Sequence, residues 1–411
     1  MPTTTTPVDF HKRYPQLGTD AVSTDIYWKP EIFVKEIESI FRPAWHYVGR
    51  EEQIKNVGDF FVKELVSFAT SVLITRDKEK HARAFLNACV HRGNQLELKD
   101  EGRRGAFYCK FHGWSYGLNG EIEHIPDVEG FPTLDCKNLR LKTLKMDVWQ
   151  GFLFVCLEDK PEQTLQDYLG RQGKDLEGYP FNKCTTKFKF EATINTNWKT
   201  MIDSFCESYH LPALHNRTIK TTMAGPNNPL GRAGDIKIKG VHRALAQHGN
   251  LKYQPKPVQS LGMRYSPGSA ITSGGKGGKE QPKGINENQS SDWIFDVNIF
   301  FPNLILAMTP SMYLVHQVWP LAANKTRYEL SGYLRPATNA AHRFGQQQTI
   351  VELRDVVLED FRLLERQQKN IETGMIKEIY FHDHEMLLRY HNYTIQCKIQ
   401  GVVNNLEEAT R

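Results

Sequence analysis

The chain has 411 residues, 40% apolar and 24% charged, with a formal net charge of +5, and that length exceeds what one hydrophobic core usually organises, so at least two domains are expected. Lysines and arginines are interleaved with acids instead of forming a stripe, which argues against a nucleic-acid partner. No run of about 18 apolar residues suits a membrane span, and MPTTTT is no charged-then-apolar leader, so the expectation is a cytoplasmic protein.

Residues 1–42 read as an N-terminal extension, in which Glu31–Phe41 is apolar at three- and four-residue steps and predicts a helix. From 43 to 160, short β-branched or aromatic runs bounded by turn residues, such as Phe60–Leu65, Ser71–Arg76 and Gly151–Leu157, predict a small antiparallel β-domain. Loops between these strands carry CVHRG (Cys89–Gly93) and CKFHGW (Cys109–Trp114), with seventeen residues between His91 and Cys109. Cys89, His91, Cys109 and His112 are the ligand set of a Rieske [2Fe–2S] cluster, where imidazoles replace two thiolates on one iron and raise its potential to roughly −150 to +300 mV. A structural zinc site takes the same atoms but pairs cysteine with cysteine and histidine with histidine. Mixed pairs let each loop give a thiolate to one iron and an imidazole to the other. Gly93 and Gly113 allow bends that turn backbone N–H groups toward the sulfurs.

The chain has seven cysteines. Cys136, Cys156, Cys184, Cys206 and Cys397 stand singly, which suits packing residues in a reducing compartment better than a disulfide framework. The sequence contains neither a C-x4-C-x2-C run nor a G-x-G-x-x-G after a strand, so electrons must come from another protein. SGGKGGKE (Ser273–Glu280) lacks the first glycine and the Ser or Thr after Lys279 that a phosphate loop needs.

Gln163–Leu169 reads as a polar helical connector opening a second domain, 161–411, of α+β type. Strands are expected near 185–193 and 293–333 and helices near 196–211 and 340–374. Between them, 219–291 is rich in Gly, Pro, Asn, Ser and Lys and is expected to be a long entrance loop or surface insertion. On a helix starting near Thr196, Asp203, Glu207 and His210 share one face. Pro212 would end that helix and let His215 swing toward His210. Two such histidines supply two-thirds of a 2-His-1-carboxylate triad, which leaves positions on Fe(II) open for dioxygen.

For the carboxylate, Leu353, Val357, Asp360 and Leu364 form one stripe of a helix, and an acid on a buried stripe is costly unless paired or metal-bound, which selects Asp360. Glu359 lies off the stripe, where solvent would suffice. His46, His124, His242, His316, His382 and His391 lack a partner at ligand spacing and read as packing residues. Trp293, Phe295, Phe300, Phe301, Tyr313 and Trp319 suit a flat apolar pocket and equally suit strand positions facing a core.

Taken together these residues resemble the Rieske non-haem iron oxygenases, in particular the large (alpha) subunits of the aromatic ring-hydroxylating dioxygenase family and related monooxygenases. The resemblance runs from about Trp45 to the helix at His382–Ile399. It rests on the cluster motif, on E/D-x2-H-x4-H at Glu207, His210 and His215, and on D-x4-E from Asp360 to Glu365. It implies a small antiparallel β Rieske domain beside a helix-grip catalytic domain, in which an antiparallel sheet is covered by helices, and a head-to-tail homotrimer with a small beta subunit in some relatives. It implies a [2Fe–2S] cluster, a mononuclear Fe(II), O2 as co-substrate, and NAD(P)H electrons delivered through a separate reductase, with or without a ferredoxin. It further implies that His112 meets Glu207 across a subunit boundary and relays electrons to an iron on His210, His215 and Asp360, with Asp203 orienting water or substrate. Many dioxygenases carry Asp where Glu207 stands, and Glu occurs in some monooxygenases acting on quaternary amines. The expected function is hydroxylation or cis-dihydroxylation of an aromatic compound, an aromatic acid first. The alternatives are a monooxygenase that hydroxylates or N-demethylates a quaternary ammonium compound, and a Rieske electron carrier without catalysis.

Overall fold

A computed structural model describes residues 9–135, 138–226, 228–265 and 282–410, so Ser273–Glu280 lies outside the described residues. The chain gathers into two compact units: Phe41–Tyr168, and the residues up to Ile40 together with Leu169–Arg411. No helix among the described residues is long and apolar enough to cross a membrane.

The Phe41–Tyr168 unit holds three small antiparallel sheets. One sheet sets Ala82–Leu86, Thr70–Arg76, Asp59–Leu65 and Glu101–Arg103 side by side, and another sets Ala106–Tyr108 beside Ser115–Gly117 and Ile122–His124. Inward positions Phe60, Leu73, Phe85, Phe107 and Tyr116 pack into one core that also takes in Trp114, Cys89 and Cys109. Each large side chain withdrawn from water contributes about 2 kcal/mol, so the cysteine ends of the two ligand loops are fixed by the core.

The other unit is α+β and is built on a seven-stranded antiparallel sheet. Its strands are β1 (Thr186–Ile194), β2 (Asp235–Lys239), β3 (His242–His248), β4 (Trp293–Phe300), β5 (Leu304–Met308), β6 (Met312–Ala322) and β7 (Lys325–Leu334), in the order β1-β7-β6-β5-β4-β3-β2. The N-terminal residues belong to this unit instead of forming an extension of their own. Val22–Ser23 pairs with Glu378–Ile379. Glu36, which closes helix α1 (Pro30–Glu36), meets Lys199 at 2.6 Å in full burial and accepts a 2.8 Å hydrogen bond from the Trp198 indole.

The stretch 219–291 is therefore not one long loop, since β2 and β3 lie inside it. Its Lys, His, Arg and Gln disguise a strand pair whose residues are largely buried, with Lys239 paired to Asp175 at 2.7 Å. The helix expected over 196–211 also breaks early. Asn197 caps α2 (Trp198–Asp203), the chain turns irregularly through 204–210, and one further turn, α3 (Leu211–Leu214), follows. Pro212 stands in the first turn of α3, where its missing N–H costs nothing, so it opens a helix where it was expected to close one. The long α4 (Ala340–Ile371) is capped by Asn339 and buries Leu353, Asp360, Leu364 and Ile371 along one side, as the stripe implied. Helix α5 (Met386–Gln400), followed by a last short helix at Asn405–Thr410, packs on α2.

Candidate active site

The two cluster loops are tight turns. Gly93 donates to the Cys89 carbonyl at 2.8 Å and Gly113 to that of Cys109 at 3.0 Å, and both glycines have left-handed φ, +72° and +78°, which glycine adopts without a steric penalty. The backbone N–H groups of His91, Phe111 and His112 point at the sulfurs, and the Tyr116 hydroxyl lies 3.0 Å from Cys89 Sγ. Both cysteines are buried, whereas the rings of His91 and His112 reach the surface 4.7 Å apart, with His91 stacked on Trp114. Among the described residues, the sets of donor atoms mutually within 4.8 Å are His210/His215/Asp360 and Asp9/His11/Asp383. The Cys89–His112 quartet is not such a set, which fits two irons side by side better than one zinc.

His210 and His215 bracket α3 as its N-cap and C-cap. Because His215 leaves helical geometry, a five-residue step still brings the rings to 5.2 Å. Asp360 comes in from α4, with Oδ1 3.7 Å from His210 Nε2 and 3.3 Å from His215 Nε2. That oxygen is buried with no hydrogen-bond partner, a costly arrangement unless a cation sits there. The donor set fits iron. Both histidines turn Nε2 inward because an acid holds each Nδ1: Glu207 for His210, and Glu359 at 2.9 Å for His215. Glu359 is thus not a solvated acid, since it also accepts from the Thr218 hydroxyl at 2.7 Å. Burial lowers the His210 pKa, but Glu207 and Asp360 reverse the effect and its net shift is upward.

Beside the trio lies a cavity of about 120 Å³. Leu245, Val297, Ala307 and Leu314, neighbours across four strands, form its floor, and Leu353 and Val357 of α4 form its roof. Phe205, Phe295 and His316 supply its rings, and among the described residues its lining holds neither Lys nor Arg. From the aromatic run only Phe295 reaches this cavity. Trp293, Phe300, Phe301, Tyr313 and Trp319 are buried away from it.

Asp203 does not join the metal trio. It accepts the Tyr27 hydroxyl at 2.8 Å and lies 2.7 Å from His391 Nδ1. Burial pushes its pKa up to about 7 against the Tyr27 hydrogen bond. With Glu207, His210, Tyr380 and Glu385 it lines an open cleft of about 710 Å³, which shares Ser204, Glu207, His210 and Asp360 with the smaller cavity. Burial, with help from Glu207 and Asp203, likewise pushes Glu385 to about 7.

This geometry agrees with comparison to known families. The family model described as ring hydroxylating alpha subunit (catalytic domain) matches residues 181–401, and the Rieske [2Fe-2S] domain model matches residues 44–140. The chain belongs to the ring-hydroxylating alpha-subunit family. The pairing of these two domains implies a [2Fe–2S] cluster and a mononuclear iron. The chain is 30% identical over 225 residues to choline monooxygenase of Spinacia oleracea, covering 52% of this chain and 51% of that one. It thus spans about half the length of the choline monooxygenase it matches. It is 25% identical over 352 residues to the carnitine monooxygenase oxygenase subunit of Escherichia coli K12, covering 84% and 83%. Naphthalene 1,2-dioxygenase, solved with indole bound, shares the fold at a TM-score of 0.70 and 19% identity, over 95% of this chain and 94% of that one.

Sequence reasoning missed Glu359 as the partner of His215 and the Tyr116–Cys89 contact. An i, i+1 acid pair on α4 was the only hint of the former.

Proposed function

We propose that this oxygenase uses dioxygen and electrons from a separate reductase to hydroxylate an uncharged, largely apolar compound about the size of one aromatic ring. The carrying observation is the aliphatic cavity of about 120 Å³ that ends on His210, His215 and Asp360. An engineered cavity of about 150 Å³ with similar walls takes up benzene. An aromatic acid would bring a carboxylate that no Lys or Arg among the described lining residues can pair, and burying it unpaired is costly.

Iron on the trio supplies the site for reductive use of dioxygen. The chain's own residues hold and exclude. Glu207 and Glu359 fix the two imidazoles, and the aliphatic walls keep water out and press the substrate's apolar body toward the metal ligands. Asp203 serves as a positioning residue, its bonds to Tyr27 and His391 fixing the end of α2 from which the 204–210 turn departs. Glu207 faces both His210 and the open cleft, which supports electron entry there from His112 of a neighbouring copy in a head-to-tail homotrimer. Supply through a ferredoxin, a beta subunit and a cytoplasmic setting belong to the same reading.

A second reading, hydroxylation or N-demethylation of a quaternary ammonium compound, is favoured by the choline and carnitine relatives and by Glu207. Against it, among the described residues Phe205 and Phe295 are the only Phe, Tyr or Trp rings in the cavity wall, where an ammonium cage uses several. An electron carrier needs no second metal site, and the donor set of His210, His215 and Asp360 speaks against that reading. The test is to supply holoenzyme, a surrogate reductase and NADH with toluene, anisole, benzoate, choline and carnitine. Coupled NADH and O2 consumption with the neutral aromatics supports the first reading; formaldehyde released from the quaternary compounds alone overturns it in favour of the second.

A further inference from the structure

His316 sits in the middle of β6, where Met312, Leu314 and His316 alternate onto the cavity face. Its Nδ1 is 2.6 Å from the Tyr328 hydroxyl on β7, while its Nε2 is buried with no hydrogen-bond partner. Outside the trio, the neighbouring donors of the wall have acceptors of their own. Ser204 donates its hydroxyl to the Met201 carbonyl, Thr309 donates to that of Met312, and Gln247 directs its amide nitrogen at the carbonyls of Gly231 and His248.

The tautomer follows from these contacts. Burial holds the imidazole neutral, its pKa pushed down to about 3, and raises Tyr328 far above its ordinary value, so the phenol keeps its proton. If the phenol donates to Nδ1, the ring proton sits on Nε2 and one donor is left over. The opposite arrangement would leave both the phenol hydrogen and the Nε2 lone pair unmet, at a larger cost. Phe205 leans on the imidazole with ring centroids 4.8 Å apart, and His316 lines the cavity.

We infer that His316 is a specificity-determining residue that offers an Nε2–H donor to the substrate, so that the compound oxygenated here is an apolar ring bearing an uncharged acceptor, a carbonyl or ether oxygen. The inference rests on the cavity being the substrate site. A ligand oxygen would satisfy the leftover donor, and a plain hydrocarbon of equal shape would leave it stranded.

Acetophenone and α-methylstyrene have nearly the same shape, one with C=O where the other has C=CH2. Their dissociation constants are measured on reduced holoenzyme for wild type, His316→Leu, His316→Gln and Tyr328→Phe. Comparing the ratio of the two constants between variants cancels each compound's own water solubility. It is expected to move about tenfold toward the hydrocarbon in His316→Leu, to stay within about threefold of wild type in His316→Gln, whose amide N–H replaces Nε2–H, and to move partway in Tyr328→Phe. An unmoved ratio in His316→Leu overturns the inference, as does an unmoved ratio in Tyr328→Phe should the leucine variant not fold. If wild type binds both compounds but the ratio never shifts, only the role of His316 falls. If it binds neither, the cavity reading falls with it.

Discussion

The Glu359 carboxylate holds the Nδ1 of His215 at 2.9 Å. Its chain neighbour Asp360 approaches the opposite nitrogen at 3.3 Å, so adjacent residues of α4 grip one imidazole from both edges. Acids that orient a ligating histidine typically account for a 10- to 100-fold change in metal affinity. Glu359→Ala should therefore weaken Fe(II) binding at the mononuclear site by about that factor, while the visible spectrum of the cluster stays unchanged. Equilibrium dialysis against Fe(II) measures it, and an unaltered affinity would reduce Glu359 to a surface acid.

Glu207→Gln tests the link between His210 and the open cleft. The amide keeps the size of the side chain but loses the charge that faces His210 Nδ1 and the backbone N–H groups of Tyr209 and His210. Both metal sites should stay loaded while turnover falls by about a hundredfold or more. Activity within about twofold of wild type would remove Glu207 from the electron path.

The Tyr116 hydroxyl, 3.0 Å from Cys89 Sγ, stabilises the more negative, reduced cluster. Tyr116→Phe should lower the reduction potential by about 40 mV, the one-electron equivalent of about 1 kcal/mol for a lost hydrogen bond. Protein-film voltammetry reads the value directly, and a potential unchanged or raised would mean that the hydroxyl does not donate to sulfur.

Asp203 gives a pH signature of definite sign. The folded chain keeps its proton up to about pH 7, whereas the unfolded chain loses it near pH 4. Between these values the unfolded state binds fewer protons, so this group's contribution to stability falls as pH rises and is flat above about 7. Asp203→Asn lacks that loss. The variant should gain on wild type by about 1 kcal/mol per pH unit between about pH 4 and 7 and no further above it. His316, held neutral to about 3, acts in the opposite sense as pH falls, but it is common to both proteins and cancels. Urea unfolding at matched pH values checks the slope, and a constant difference contradicts it.

Legibility in the sequence followed how local each signal was. The cluster quartet was plain because Cys89–Gly93 and Cys109–Gly113 are self-contained turns. Asp360 stood out because it interrupts the periodic apolar face of a 32-residue helix, on which it is buried. The route from Asp203 to His215 was misread, since a helix over 196–211 was extrapolated across a region where Glu207, through its contacts with the backbone of Tyr209 and His210, stabilises an irregular turn instead. The strands β2 and β3 escaped because buried Lys239, His242 and Arg243 mask their alternation. Glu359 and His316 depended on partners more than ten residues away in the chain, Thr218 with His215 and Tyr328 respectively, which no periodicity can reveal.

The most direct test of the whole account is the iron and acid-labile sulfide content of purified protein, read together with the electron paramagnetic resonance of the reduced, nitric-oxide-treated sample. About three irons and two sulfides per chain, a high-spin iron–nitrosyl signal, and loss of that signal and one iron in Asp360→Ala with the cluster intact are the expected results. Two irons with no nitrosyl signal, or an Asp360→Ala protein that keeps all its iron, would contradict the assignment of a second metal centre to His210, His215 and Asp360.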